Sequence, residues 1–197
     1  MPTGVALRDP RRQLFDAAVR VLARDGVTGL TSRAVTTEAD VAKGVLHRHF
    51  ADFDAFLAEL VLDCIAQVEA QAAALRDAAG TGTVADNLTG ALINLLDPVM
   101  VSIVTLVIAR DELRRRLRAA GTARFPLAGE GAAMIASYLA AERDRGRIDA
   151  DADLDTLAGT LIGAAHLLFT ERKESPPEAA AVRKVVTTVM AGAMRQP

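Results

Sequence analysis

The chain has no tryptophan, one tyrosine and one cysteine. A lone Cys64 excludes an intramolecular disulfide and fits a reducing compartment. Only three histidines accompany it, without metal-type spacing, so no Cys/His metal cluster is expected. A glycine-rich phosphate loop and a nucleophile elbow are also missing. Nothing joins Cys64 to the distant His166, and the sequence therefore offers neither a catalytic constellation nor a cofactor motif. The amino terminus, MPTGVALRDPRRQLF, holds no apolar stretch of secretory length, which implies a cytoplasmic protein. Residues 88–109 are long enough for a membrane span and carry only Asp97 as a charge, but the Asp97-Pro98 pair breaks them in the middle. The remainder, 99–109, is too short to cross and reads as a buried core helix, so no membrane partner is expected.

What is present is aliphatic. Half of the 197 residues are hydrophobic, enough for a sizeable core, and Ala and Leu dominate while β-branched alternation is nearly absent. These features predict an all-α fold. Helix signals recur along the chain. A first helix runs from residue 10 or 11 to 25, with Leu14, Ala18, Val21 and Leu22 on one face and Gly26 as its left-handed stop. Asp52 caps a long helix to about 79; Gly80-Thr81-Gly82 breaks it. Thr83 caps a helix to about 96, Asp97 another to about 119, and Pro126 opens one that ends near Gly146. Asp151 or Asp153 caps a helix to about 173, and Ser175-Pro176-Pro177 separates it from a last helix, 178–195.

Residues 31–50 carry the functional signal. Thr31 is a natural N-cap, and Leu30 with Val35 has the spacing of a hydrophobic staple, so a helix starts here and stops near Ala39-Asp40. A second helix over about 42–50 places Leu46 and Phe50 on one face, with Val41 at its entry, as anchors to a core. Its other face offers Lys43, Gly44, His47 and Arg48. Cationic side chains there suit phosphates or guanine edges, the glycine admits close backbone approach, and the Val45 methyls suit a thymine methyl. Two short helices and a tight turn make the outline of a helix-turn-helix. His47 and His49 are two apart on a helix and point about 200° away from one another, which does not suit a metal.

This stretch resembles the amino-terminal region of the TetR family of bacterial regulators. Thr31, Arg33, Ala39, Val41, Lys43, Gly44, Leu46, His49 and Phe50 stand where the family pattern expects them. The departures are Asp40 for the turn glycine, Ala42 for the serine cap, Val45 for threonine or serine and His47 for tyrosine. Losing a serine cap at Ala42 costs about 1 kcal/mol. The resemblance implies a three-helix DNA-binding head over 1–51 and a larger helical effector-binding and dimerisation domain over 52–197. It places Thr31, Arg33, Lys43, His47 and His49 at positions that meet DNA backbone and Val45 where bases are read. It also implies a homodimer through helices over about 127–145 and 154–171, rich in small residues, and hence an inverted-repeat operator in double-stranded DNA.

Charge fits such a partner. Residues 1–50 carry eight Lys/Arg against five acids, a net +3, whereas the rest carries −5. The family places an effector pocket in the larger domain. Here its aliphatic core suits a small hydrophobic molecule, with Cys64, Asn94, Met100, Thr105 and His166 as candidate contacts. The expected function is a DNA-binding transcriptional regulator, a repressor released by such an effector. A helical carrier protein that does not read DNA is the alternative. The run Arg114-Arg115-Arg116 with Arg118 reads as a solvated helix end.

Overall fold

Asp9 opens the first helix, its carboxylate accepting from the N–H groups of Arg11 and Arg12, while Pro10 occupies a position that needs no N–H. The structure is a computed structural model and describes residues 9–122, 125–171 and 177–194; the expected break at 175–176 and the helix end at 195 lie outside them. Helix α1 (Pro10–Gly29) buries Leu14, Ala18, Val21 and Leu22 as the periodicity predicts. Gly26 interrupts it at φ 66°, ψ −168°, a combination essentially reserved for glycine, so the expected stop is a break followed by one more turn.

Thr31 caps α2 (Ser32–Glu38) by accepting from the Ala34 N–H at 3.1 Å. The turn that follows holds Asp40 at φ 51°, a left-handed conformation that aspartate tolerates. Helix α3 (Gly44–His49) is shorter than the expected 42–50. Ala42 and Lys43 form a turn before it, with the Ala42 carbonyl accepting from the Val45 N–H, and no side chain caps it. Gln13 of α1 donates to the Ala39 carbonyl at 2.7 Å and fixes the end of α2.

Asp52 caps α4 (Phe53–Asp77) through the Ala55 N–H at 2.7 Å. Rings of Phe15, Phe50, Phe53 and Phe56 pack with centroids 5.1–5.8 Å apart, so the start of α4 is built into the same core as α1 and α3. Thr83 caps α5 (Val84–Leu95) and Asp97 caps α6 (Pro98–Ala109). The single helix expected over 97–119 is in fact two. Arg110, extended at φ −122°, ψ 106°, separates α6 from α7 (Asp111–Ala119), whose first turn carries Asp111 and Glu112 where the helix dipole favours them. Helix α8 (Ala128–Asp144) begins after Leu127, held at φ 70°, with Glu130 reaching back to the Leu127 N–H. Asp153 caps α9 (Leu154–Glu171), and α10 (Ala179–Met190) stops short of the expected end.

Helix α4 packs on α7 and α8, α8 on α9, α10 on α5 and α9, and α1 reaches α6. Helices α5 and α6 are bent by 56° at the Asp97-Pro98 break. Among the described residues no single helix is long and apolar enough to cross a membrane.

Candidate nucleic-acid interface and adjoining cavity

Most of the head's positive charge is engaged inside the protein. Arg11 lies over the Phe50 ring at 4.6 Å, donates to the His49 carbonyl and pairs with Glu59. Arg12 pairs with Asp16 and Asp63. Arg20 and Arg24 converge on Glu38, each at 2.7 Å, and their hydrogen bonds, Arg24's first, hold the Glu38 carboxyl below the usual carboxylate range. These links fasten α2 to α1. Among the described residues of the head, Arg33, Lys43 and Arg48 are the cations without a carboxylate partner, and all three are exposed on the helix-turn-helix.

Burial explains which face of α3 is free. Leu46 and Phe50 are buried and hold the helix down, whereas Lys43, Gly44, His47 and Arg48 are exposed. Val45 and His49, expected outside, are half-buried, Val45 being packed against the core edge. Thr31 is exposed with its hydroxyl already capping α2. Thr31→Ala should therefore lower stability by about 1 kcal/mol in thermal melts whether or not DNA is present, and Thr31→Ser should restore it. A Cβ built on Gly44 meets nothing within 4 Å, and its φ is not positive. Nothing inside the protein requires glycine there.

In the larger body a cavity of about 220 Å³ lies between α6, the start of α8 and α9. Its walls are aliphatic, among them Leu95, Val101, Val104, Leu127 and Ile162, and Met100 and His166 both line it. The structure does not bring the other three candidates there. Cys64 is buried within α4 among core side chains, which push its thiol up to about 12. Asn94 is exposed and faces a different groove with Gln71 and Asn87. Thr105 is exposed and donates to the Val101 carbonyl of its own helix. Helical spacing explains this: 94 and 105 fall on the outer sides of α5 and α6.

Of the arginine run, expected to be solvated, Arg115 and Arg118 are exposed, whereas Arg116 links the body to the start of α4. Arg116 grips Asp52 with its two terminal guanidinium nitrogens, at 3.0 and 2.8 Å, while its Nε donates to Glu112. Arg110 pairs with Asp54 at 2.7 Å and lies 5.8 Å from the Phe53 ring. The Ala55 N–H and then Arg116 lower the Asp52 carboxyl below its ordinary value. Because the folded pKa lies below the unfolded one of about 3.9, this contribution is complete above it and lost as pH falls through the folded value. In thermal melts the difference between wild type and Asp52→Asn should be constant from pH 7 to 5 and shrink below about pH 4.

Residues 14–60 match the family model described as "Bacterial regulatory proteins, tetR family". No curated protein matches the chain. Among solved structures, a TetR-family member from Streptomyces coelicolor A3 is 26% identical with a TM-score of 0.61, covering 92% of this chain and 98% of its own. A transcriptional regulator from Rhodococcus sp. Rha1 is 20% identical with a TM-score of 0.69 over 95% and 99% of the two chains. The regulator FadR of Bacillus subtilis, solved with stearoyl-CoA, is 17% identical with a TM-score of 0.65 over 92% and 98%. Residues 14–60 thus resemble the amino-terminal region of bacterial regulators of the tetR family, and the fold of the described residues is similar to that of a TetR-family member.

Proposed function

We propose that the protein is a transcriptional repressor that holds an inverted-repeat operator as a homodimer and releases it when a small apolar effector enters the body. The observation that carries the reading is the set Arg33, Lys43 and Arg48, left without carboxylate partners on the helix-turn-helix while the other described cations of the head are engaged. These residues, with Gly44, His47 and the flanking Thr31, Val45 and His49, form the proposed DNA surface, and residues 1–51 form the head carried by a body over 52–197. Helices α8 and α9 supply the proposed dimer face. Gly159 and Gly163 lie exposed on α9 with open space where a Cβ would stand, which lets a second copy approach closely. Two recognition helices about 34 Å apart would read successive major-groove faces.

Effector release follows from the connection of parts. A molecule in the 220 Å³ cavity presses on Met100, Val101 and Val104 of α6. Helix α1 packs on α6, and the arginines just beyond α6 hold Asp52 and Asp54 at the start of α4. A shift of α6 therefore reaches the head. A hundredfold drop in DNA affinity corresponds to about 2.7 kcal/mol of coupling. The FadR structure, solved with stearoyl-CoA, is in keeping with an effector that carries a long apolar part.

The test is fluorescence anisotropy on the DNA upstream of the protein's own gene, with excess competitor DNA and a salt series. Competitor-resistant binding with an inverted-repeat footprint is expected. Weak binding that competitor removes, on this and on genomic fragments, would overturn the reading. Gly44→Ala gives a second test with opposite signs. Thermal stability should hold or rise, by up to about 1 kcal/mol, while operator affinity falls because a methyl now stands between helix and DNA.

A further inference from the structure

The chain has three histidines, at positions 47, 49 and 166. His166 lines the cavity of the body, and His49 is half-buried with its carbonyl held by Arg11. Only His47 is exposed, on the open face of α3. It follows Lys43 by one helical turn and adjoins Arg48. Among the described residues no hydrogen bond or ion pair engages its ring.

The carboxylates on the helices packed against α3 are committed elsewhere. On α1, Asp9 caps the helix, Asp16 pairs with Arg12 and Asp25 with Arg24. On α2, Glu38 is shared by Arg20 and Arg24. At the start of α4, Asp52 meets Arg116, Asp54 meets Arg110, Glu59 meets Arg11 and Asp63 meets Arg12. What stays unengaged on residues 31–50 is Arg33, Lys43 and Arg48, with Asp40 in the turn as the one carboxylate. In the free head the His47 ring thus has cations beside it and no anion of its own; on DNA it has phosphate.

Histidine is the side chain that changes charge between about pH 5 and 8. A neutral imidazole donates one hydrogen bond; a protonated one donates two, and those to phosphate are charge-assisted. An imidazole against phosphate therefore keeps its proton to higher pH than one in water. We propose that each head takes up a proton at His47 when it binds the operator, so that the complex tightens as the pH falls. The proposal rests on the DNA-binding reading. By linkage the extra affinity is complete below the pH at which the free ring titrates, and it is lost as the pH rises through that of the bound ring. A tyrosine in this place offers a ring donor whose charge does not change over the same range, which is the contrast to measure.

Fluorescence anisotropy of the full chain on the DNA upstream of its own gene, at about pH 6 and about pH 8 and fixed salt, tests it. Wild type should bind at least about tenfold more tightly at the lower pH, since both heads of a dimer contribute. His47→Tyr and His47→Gln should each bind equally at the two pH values, and His49→Gln should keep the wild-type ratio. Titration calorimetry near neutral pH, in two buffers of different ionisation enthalpy, counts the protons directly: wild type should take them up and His47→Tyr should not. A wild-type ratio near one, proton release, a ratio that survives His47→Tyr or one that disappears with His49→Gln overturns the proposal and leaves the DNA reading standing. Operator binding at neither pH overturns the DNA reading itself, and the proposal with it.

Discussion

Lys43→Ala combined with His47→Ala is expected to lower operator affinity by at least about 100-fold at 0.15 M salt, with a melting temperature close to wild type. Both side chains are exposed on α3 and neither supports the core, which Leu46 and Phe50 hold from the opposite face. A side chain that reads a base edge is worth about 1–3 kcal/mol, and removing one cation from a phosphate should lower the salt slope by about 1. The decisive comparison is Arg20→Ala, which also removes one positive charge from the head. Arg20 is engaged with Glu38, so its loss should disturb the α1–α2 junction and melting more than the salt slope. If Lys43→Ala with His47→Ala leaves DNA and ligand affinity unchanged, the carrier reading takes the place of the repressor.

That contrast marks the boundary of what the sequence tells. Local signals were legible: Thr31, Asp52, Thr83 and Asp97 each cap the helix expected of them, because capping is decided within three residues. The anchors Leu46 and Phe50 followed from a four-residue spacing. Partners distant in sequence were not legible. Eight basic residues gave the head a net charge, but only the fold shows that Arg20 and Arg24 meet Glu38 while Arg33, Lys43 and Arg48 meet no carboxylate. For the same reason Arg116 reads as part of a solvated run, although its partner Asp52 stands 64 positions earlier. The break at Arg110 lacks a proline or glycine signal; there the backbone is extended and the side chain pairs with Asp54, 56 positions earlier. Asn94 and Thr105, expected as pocket contacts, each sit on an exposed side of their helices.

Glu142→Ala should produce the largest loss of stability of any single change considered, about 3–5 kcal/mol, equivalent to a melting temperature lower by roughly 6–20 °C. In sequence this glutamate belongs to the charged run at the end of α8 and looks solvated; in the fold it is completely buried. Its carboxylate accepts from the Tyr138 hydroxyl at 2.6 Å and from the Gly80 N–H at 3.2 Å, and pairs with Arg147 at 3.2 Å. Tyr138 in turn accepts from Asn87, and Arg147 donates to the Gly82 carbonyl at 2.7 Å. Burial, then the bond to Glu142, pushes the Tyr138 phenol up, so it remains a donor throughout the physiological range. The network ties the turn that ends α4 to the last turns of α8. Alanine leaves a guanidinium, a hydroxyl and an N–H without their acceptor, whereas Glu142→Gln keeps the shape and an acceptor and should lose about half as much. Chemical denaturation of both variants measures this. A loss below about 1 kcal/mol for alanine would mean that water replaces the carboxylate, and the turn at Gly80 would then owe its position to packing alone.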